Sequence, residues 1–117
     1  MRQPVLSIIG TIYNQAKLAE RTLDIWCRQD FDLPYEIIIL DDGSTDETRE
    51  MVRNFQDRYR GLIRYFFFDE PDHIRNCTLL FNTAVRRLMR SEIAVIQWYD
   101  RIPSTLKALR YLYGHHL

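Results

Sequence analysis

The sequence predicts an α/β fold, three layers of α/β/α around a mostly parallel sheet, and three observations lead there. Short apolar runs begin at Val5, Glu36, Leu62 and Ile93, and each is followed by a segment whose apolar residues recur at helical spacing. The second run, Glu36-Ile37-Ile38-Ile39-Leu40, is apolar without alternation, as a central parallel strand covered on both faces requires. Strand followed by helix, repeated along the whole chain, specifies a layered sandwich, because each crossover returns the chain to the same edge of the sheet and does so right-handed almost without exception.

Each element has its own local justification. Residues 5–9 are rich in β-branched side chains and read as a buried strand that ends at Gly10. Residues 17–27 read as a helix with Leu18, Thr22, Ile25 and Trp26 inward, Leu23 beside them, and Lys17, Glu20, Arg21 and Asp24 toward water. Pro34 cannot continue a helix, so the stretch 30–34 breaks it and the second strand follows. That strand closes on Asp41-Asp42-Gly43. Ser44 and Glu47 have the spacing of a capping box, which predicts a helix over 45–59 with Met51, Val52 and Phe55 on its buried side. The third strand covers 62–68 and carries the core run Tyr65-Phe66-Phe67-Phe68. The third helix covers 76–89, with Leu79, Leu80, Ala84, Val85 and Leu88 as its apolar stripe. The fourth strand is 93–98. Pro103, whose missing amide is harmless in a first helical turn, opens a last helix through Leu106, Leu109 and Leu112.

With 117 residues, 46% hydrophobic and 13% aromatic, the chain is expected to form a single domain, 1–117, around a core that needs neither disulfides nor metal. Sixteen basic and sixteen acidic residues cancel, so no strong field exists to hold nucleic acid or an anionic membrane. Cys27 and Cys77 are far apart and fit no metal-ligand or redox spacing, which suits two reduced thiols in the cytosol. The apolar start is too short for a signal peptide, and no run approaches the roughly 20 residues of a membrane span. The expected location is the cytoplasm, or the cytoplasmic membrane face through segments beyond this one. His115 and His116 diverge by about 100 degrees on a helix and are read as a frayed terminus, not a chelating pair.

In an open parallel sheet the ligand crevice lies beyond the carboxyl ends of the strands, where loops and helix N-termini converge. Three polar groups fall at such ends: Gly10-Thr11-Ile12-Tyr13-Asn14, Asp41-Asp42-Gly43-Ser44 and Tyr99-Asp100. Acceptors, a donor-rich turn and a carboxylate from separate strands suit a nucleotide with a metal-bridged diphosphate. Each group also has a plainer reading. Asp41 to Ser44 would serve as a turn and helix cap, Tyr13 as a core aromatic, Asn14 as a cap, and Asp100 as a solvated loop residue or cap. Their joint placement favours a site.

The stretch PVLSIIGTIYNQAKLAERTLDIWCRQDFDLPYEIIILDDGSTDET, from Pro4 to Thr48, resembles the opening of the family 2 glycosyltransferases. That family's pattern is an apolar strand, a Thr-x-Tyr-Asn turn, a helix ending near Gln, and a strand closing on Asp-Asp-Gly-Ser-x-Asp. The resemblance implies a Rossmann-like GT-A nucleotide-binding half. It implies that Thr11 and Tyr13 contact the nucleotide, the Tyr ring offering a face to the base, with Asn14 in the same turn. Asp42 would hydrogen-bond the base, typically uracil; Asp41 would lie near the ribose or brace the loop; Gly43 and Ser44 complete the motif. Asn82 resembles the Asn of the helix preceding the metal-binding strand, and Arg75 a basic residue near the diphosphate.

The segment AVIQWYDRIPSTLKAL is similar to the family's strand, Asp-x-Asp and helix, with Asp100 on the last acid. The implied cofactor is a divalent cation, Mg2+ or Mn2+, at Asp100. Trp98 stands in place of the first acid and Tyr99 at the middle position, leaving one carboxylate, which can hold a hard cation together with diphosphate oxygens and waters. The implied activity is metal-dependent transfer in carbohydrate biosynthesis, from a nucleoside-diphosphate sugar, UDP-linked, to the hydroxyl of a saccharide or lipid-linked acceptor. The acceptor surface and the general base belong to a further segment, so the domain is expected to be incomplete at its C-terminus. Two other readings stay open: a non-catalytic nucleotide-sugar-binding or interaction module, and a phosphoacceptor or phosphatase-like domain, for which the first strand end lacks a carboxylate.

Overall fold

In the computed structural model, which describes residues 3–69, 82–98 and 107–110, β1 (Leu6–Ile12) lies inside a parallel sheet, between β2 (Tyr35–Asp41) and β4 (Ile93–Trp98). β3 (Ile63–Phe67) pairs with the other side of β2, giving the order β3-β2-β1-β4. Leu6 stands opposite both Tyr35 and Ile93, and Gly10 opposite both Ile39 and Gln97. This double pairing corrects the expectation that Gly10 ends the strand. A glycine flanked by hydrogen-bonded neighbours on both sides has no reason to break the ladder, and β1 continues to Ile12 with every residue buried. β2 and β4 run as the apolar patterns predict.

Side-chain alternation along the strands feeds two cores. On one face Leu6, Ile8, Ile12, Ile37 and Ile39 pack with α1 (Ala16–Cys27) and α2 (Thr48–Arg58), and with Leu109. On the other, Ile9, Ile38 and Leu40 pack with Ala84, Leu88 and Met89. Three layers result, as the sequence predicts. The buried residues of α1 are Ala16, Ala19, Thr22, Leu23, Trp26 and Cys27, so Leu18 turns outward at 39% exposure and Ile25 is only half-buried. Small alanines face the sheet because they let the helix approach it, and the longer Leu18 takes the outer position.

α2 begins at Thr48, three residues later than the capping-box spacing predicts, because Ser44 spends its hydroxyl elsewhere. β3 forms an edge among the described strands, so its aromatics Tyr65, Phe66 and Phe67 are half-buried rather than fully in the core. Of the predicted helix 76–89, the described part begins at Asn82 and winds as a π-helix over Ala84–Leu88, closed by the Met89 amide on the Ala84 carbonyl at 2.9 Å. The wider winding keeps Ala84 and Leu88 inward and rotates Val85 out to 44% exposure, against the predicted stripe. Of the last predicted helix, residues 108–110 are described as helical. Leu109 is fully buried, its amide donates to Gln29 Oε1 at 2.9 Å, and Arg110 pairs with Asp30 at 2.9 Å. Among the described residues no helix is long and apolar enough to cross a membrane.

Candidate functional site

The chain moves from β1 to β2 to β3 in one direction and then returns to the far side of β1 for β4, so the order reverses beside β1. In open α/β sheets ligands bind beyond the carboxyl ends of the strands at such a reversal. Thr11 lies near the end of β1 and is buried, Tyr13 follows it half-buried, and Asp42 follows β2 at 6% exposure. The Asp42 amide donates to the Ile12 carbonyl at 3.0 Å, so the two strand ends stay joined past the last ladder pair.

The loop after β2 is shaped from within. Asp41 is fully buried: its Oδ1 accepts the Ser44 amide at 2.9 Å, and its Oδ2 accepts the Tyr65 hydroxyl. Burial first, and then the bond to Asp41, push the Tyr65 hydroxyl up, so it stays a protonated donor. Gly43 sits at φ 85°, and an added Cβ would lie 3.2 Å from the Phe68 carbonyl oxygen. Only glycine meets both demands without strain. The Phe68 amide donates to the Asp41 carbonyl at 2.8 Å, and Arg49 lies 4.2 Å over the Phe67 ring, so β3 and α2 brace the same loop.

The loops after β1 and β2 also grip each other. Asn14, at φ 48°, accepts the Thr45 amide at 2.8 Å and the Asp46 amide at 3.2 Å on its Oδ1, and donates its own amide to Ser44 Oγ at 3.0 Å. Asp46 replies: its Oδ2 accepts the Ala16 amide at 3.4 Å, while its Oδ1 takes the Thr48 amide at 3.0 Å and hydroxyl at 2.5 Å. One carboxylate thus meets the first residue of α1 and of α2, where both helix dipoles favour negative charge. What burial Asp46 has works against ionisation; the bonds from Thr48 and Ala16 outweigh it and hold the carboxyl below the usual aspartate range.

The structure therefore brings Thr11, Tyr13, Asn14, Asp41, Asp42, Gly43 and Ser44 to one edge of the sheet. Asn82 is exposed at the start of its helical segment. Arg75 and Asp100 lie outside the described residues. Trp98 ends β4, and among the described residues no group of three or more His, Cys, Asp or Glu side chains could hold a metal ion. Tyr65 and Asp46 join the site without having been expected there from the sequence. Asp46 is visible in it as the last acid of the motif; Tyr65 carries no local signal, since its partner is set by the pairing of β3 with β2.

Residues 7–93 match the sequence profile described as Glycosyl transferase family 2. The chain is 44% identical over 68 residues to validoxylamine A glucosyltransferase of Streptomyces hygroscopicus subsp. jinggangensis, a match covering 57% of this chain and 16% of that protein. In structure it is similar to the mannosyltransferase PcManGT from Pyrobaculum calidifontis, solved in complex with GDP-Man and Mn2+. That match has a TM-score of 0.71 at 28% identity and covers 96% of this chain and 33% of that one. The fold is also that of S. aureus TarS in complex with UDP-GlcNAc, at TM-score 0.77 and 20% identity over 94% of this chain and 30% of that one. The chain thus spans a fraction of the length of the proteins it matches. On the profile match across most of its length, and on a sheet edge built from the same motifs, the chain belongs to glycosyl transferase family 2.

Proposed function

We propose that this chain is the donor-binding part of a glycosyltransferase, holding the nucleoside-diphosphate portion of a nucleotide sugar beyond β1, β2 and β4. The observation that supports the reading is the joining of the two loops beside the reversal of strand order, with Thr11, Tyr13 and Asp42 at the carboxyl ends of β1 and β2. Tyr13 offers a ring face to the base and Asp42 an acceptor for a base N–H, uracil in a UDP-linked donor. Asp41, Gly43 and Ser44 shape the loop, Arg75 serves the diphosphate, and Asn82 belongs to the helix that precedes the metal-binding strand. PcManGT, with its GDP-Man and Mn2+, supports a nucleotide-sugar ligand for a chain of this kind.

In the segment that resembles the family's metal motif one carboxylate remains, Asp100, which would hold Mg2+ or Mn2+ together with substrate phosphates and water. When bound, such an ion supplies charge compensation to the departing nucleoside diphosphate. The transfer itself, to a saccharide or lipid-linked acceptor hydroxyl in cytoplasmic carbohydrate biosynthesis, is the activity of the longer protein in this reading. Trp98 in place of an acid favours one second reading, a nucleotide-sugar-binding module that performs no transfer.

Isothermal titration with UDP, UDP-sugars and GDP-mannose, with and without Mn2+, tests the proposal. Asp42→Ala is expected to weaken binding by about 10- to 100-fold in every condition, the effect of losing a hydrogen bond to a charged group. Asp100→Ala weakens it only when metal is present. A folded protein that binds no nucleotide, or an Asp42→Ala protein that binds as well as the parent, refutes the donor site. Binding indifferent to metal moves the reading to the non-catalytic module.

A further inference from the structure

We infer that Asn14 and Asp46 form a reciprocal latch whose task is to set the spacing of Tyr13 and Asp42, so that both act as positioning residues and not as ligand contacts. The inference rests on the donor reading above and assigns Asn14 a different role within it. Three features carry it. The Asn14 side chain is already committed: Oδ1 takes two consecutive amides of the β2 loop, and Nδ2 donates to Thr45 Oγ1 at 3.4 Å. Asp46 sends its carboxylate the opposite way, to the first amide of α1, while holding the first residue of α2. Gln15, next to α1, makes no side-chain capping bond, so the first amide of α1 is met from the other loop by Asp46, while the same carboxylate meets α2 locally in place of Glu47. The two loops are therefore fixed through each other, one anchor on each side, and Tyr13 and Asp42 are the residues they carry beside the strand ends.

Asn14 also adopts a left-handed backbone, which Asn tolerates and Gly accepts freely. That separates its side chain from its conformation. Asn14→Gly keeps the turn and removes the latch, whereas Asn14→Asp keeps an acceptor for the two amides. Asp46→Ala releases the other side with Asn14 in place. UDP affinity is read at a temperature where every variant is folded by circular dichroism. Asn14→Gly and Asp46→Ala are each expected to weaken UDP binding about tenfold. Their combination loses little more than either alone, because the two arms share one function. Asn14→Asp binds within about threefold of the parent, since it keeps the acceptor for both amides.

UDP binding by Asn14→Gly equal to the parent, or an Asn14→Asp loss as large as that of Asn14→Gly, overturns the latch. Should the parent bind no nucleotide, the donor reading falls, and hydrogen exchange in the free protein decides the latch alone. The Thr45 and Asp46 amides then exchange about tenfold faster in Asn14→Gly, with core amides unchanged. Equal rates overturn it.

Discussion

Replacing Glu36 by Gln perturbs the point where the amino ends of the strands meet. Glu36 is 1% exposed, and its carboxylate accepts the Ser7 hydroxyl of β1 at 2.5 Å and the Arg90 amide at 2.7 Å on Oε2. Its Oε1 accepts Arg64 Nη1 of β3 at 3.1 Å and Arg90 Nε at 3.1 Å. Arg64 also donates to the Leu88 carbonyl, and Ser7 Oγ lies within hydrogen-bond distance of Ser91 Oγ, 2.7 Å away and just before β4. Glutamine offers one acceptor oxygen and an NH2, so either orientation sets the NH2 against donors. Hydrogen bonds to charged groups contribute about 1.5–3 kcal/mol each. The guanidinium contacts count for less, because Arg64 and Arg90 are 28% and 41% exposed. The expected loss is then about 2–4 kcal/mol at pH 7, carried mainly by the bonds from Ser7 and the Arg90 amide.

The same residue fixes a pH signature. Burial opposes ionisation of Glu36, and the bonds from Ser7, Arg90 and Arg64 outweigh it, holding the carboxyl below the ordinary glutamate range. A folded pKa below the unfolded value of about 4.3 gives stability that is fully present above that pH. It is lost as pH falls through the folded pKa. Urea unfolding of parent and Glu36→Gln at pH 7 and pH 3 should therefore show a gap that narrows in acid. A gap under about 0.5 kcal/mol at pH 7, or one that does not shrink at pH 3, refutes the reasoning.

Gly43→Ala, which needs a left-handed alanine and a Cβ 3.2 Å from the Phe68 carbonyl, is expected to cost about 1–3 kcal/mol in urea unfolding. It should also weaken UDP binding, because Asp42 is the neighbouring residue. Cys27 is buried, and desolvation with the nearby Asp24 charge pushes its thiol up to about 12. In a Cys77→Ser background, native protein should therefore resist a thiol-specific disulfide reagent at pH 8 and react fully in urea. Rapid native labelling would contradict the burial of Cys27 at the end of α1.

The structure explains why some residues could be read from the chain and others could not. Runs 36–40 and 93–98 became β2 and β4 almost unaltered, because a parallel strand needs little beyond a short apolar β-branched stretch, although β2 is buried and Ile96 of β4 is 45% exposed. Asp41 to Ser44 announced a loop at a strand's end through Gly43, whose positive φ the Asp-Gly pair signals locally. Glu36 belongs to the same apolar run and gave no warning. Its partners come from β1, β3 and the segment before β4, and no spacing along the chain indicates that they meet.

What the sequence determined by itself is the alternation of strand and helix, the family, and the strand ends at which polar residues gather. The alternation and the strand ends follow from periodicity and local turn chemistry, and the family from the resemblance of the Pro4 to Thr48 motifs. Only the tertiary structure decided that β1 passes through Gly10, since a ladder on both sides outweighs a glycine's freedom. It also decided that Ser44 binds the Asn14 amide instead of capping α2, and that Asp46 serves two helices at once. The physical reason is common to these cases. Hydrogen-bonding groups are satisfied by whichever partner the packed strands bring near, and in a parallel sheet that partner is a crossover away in sequence.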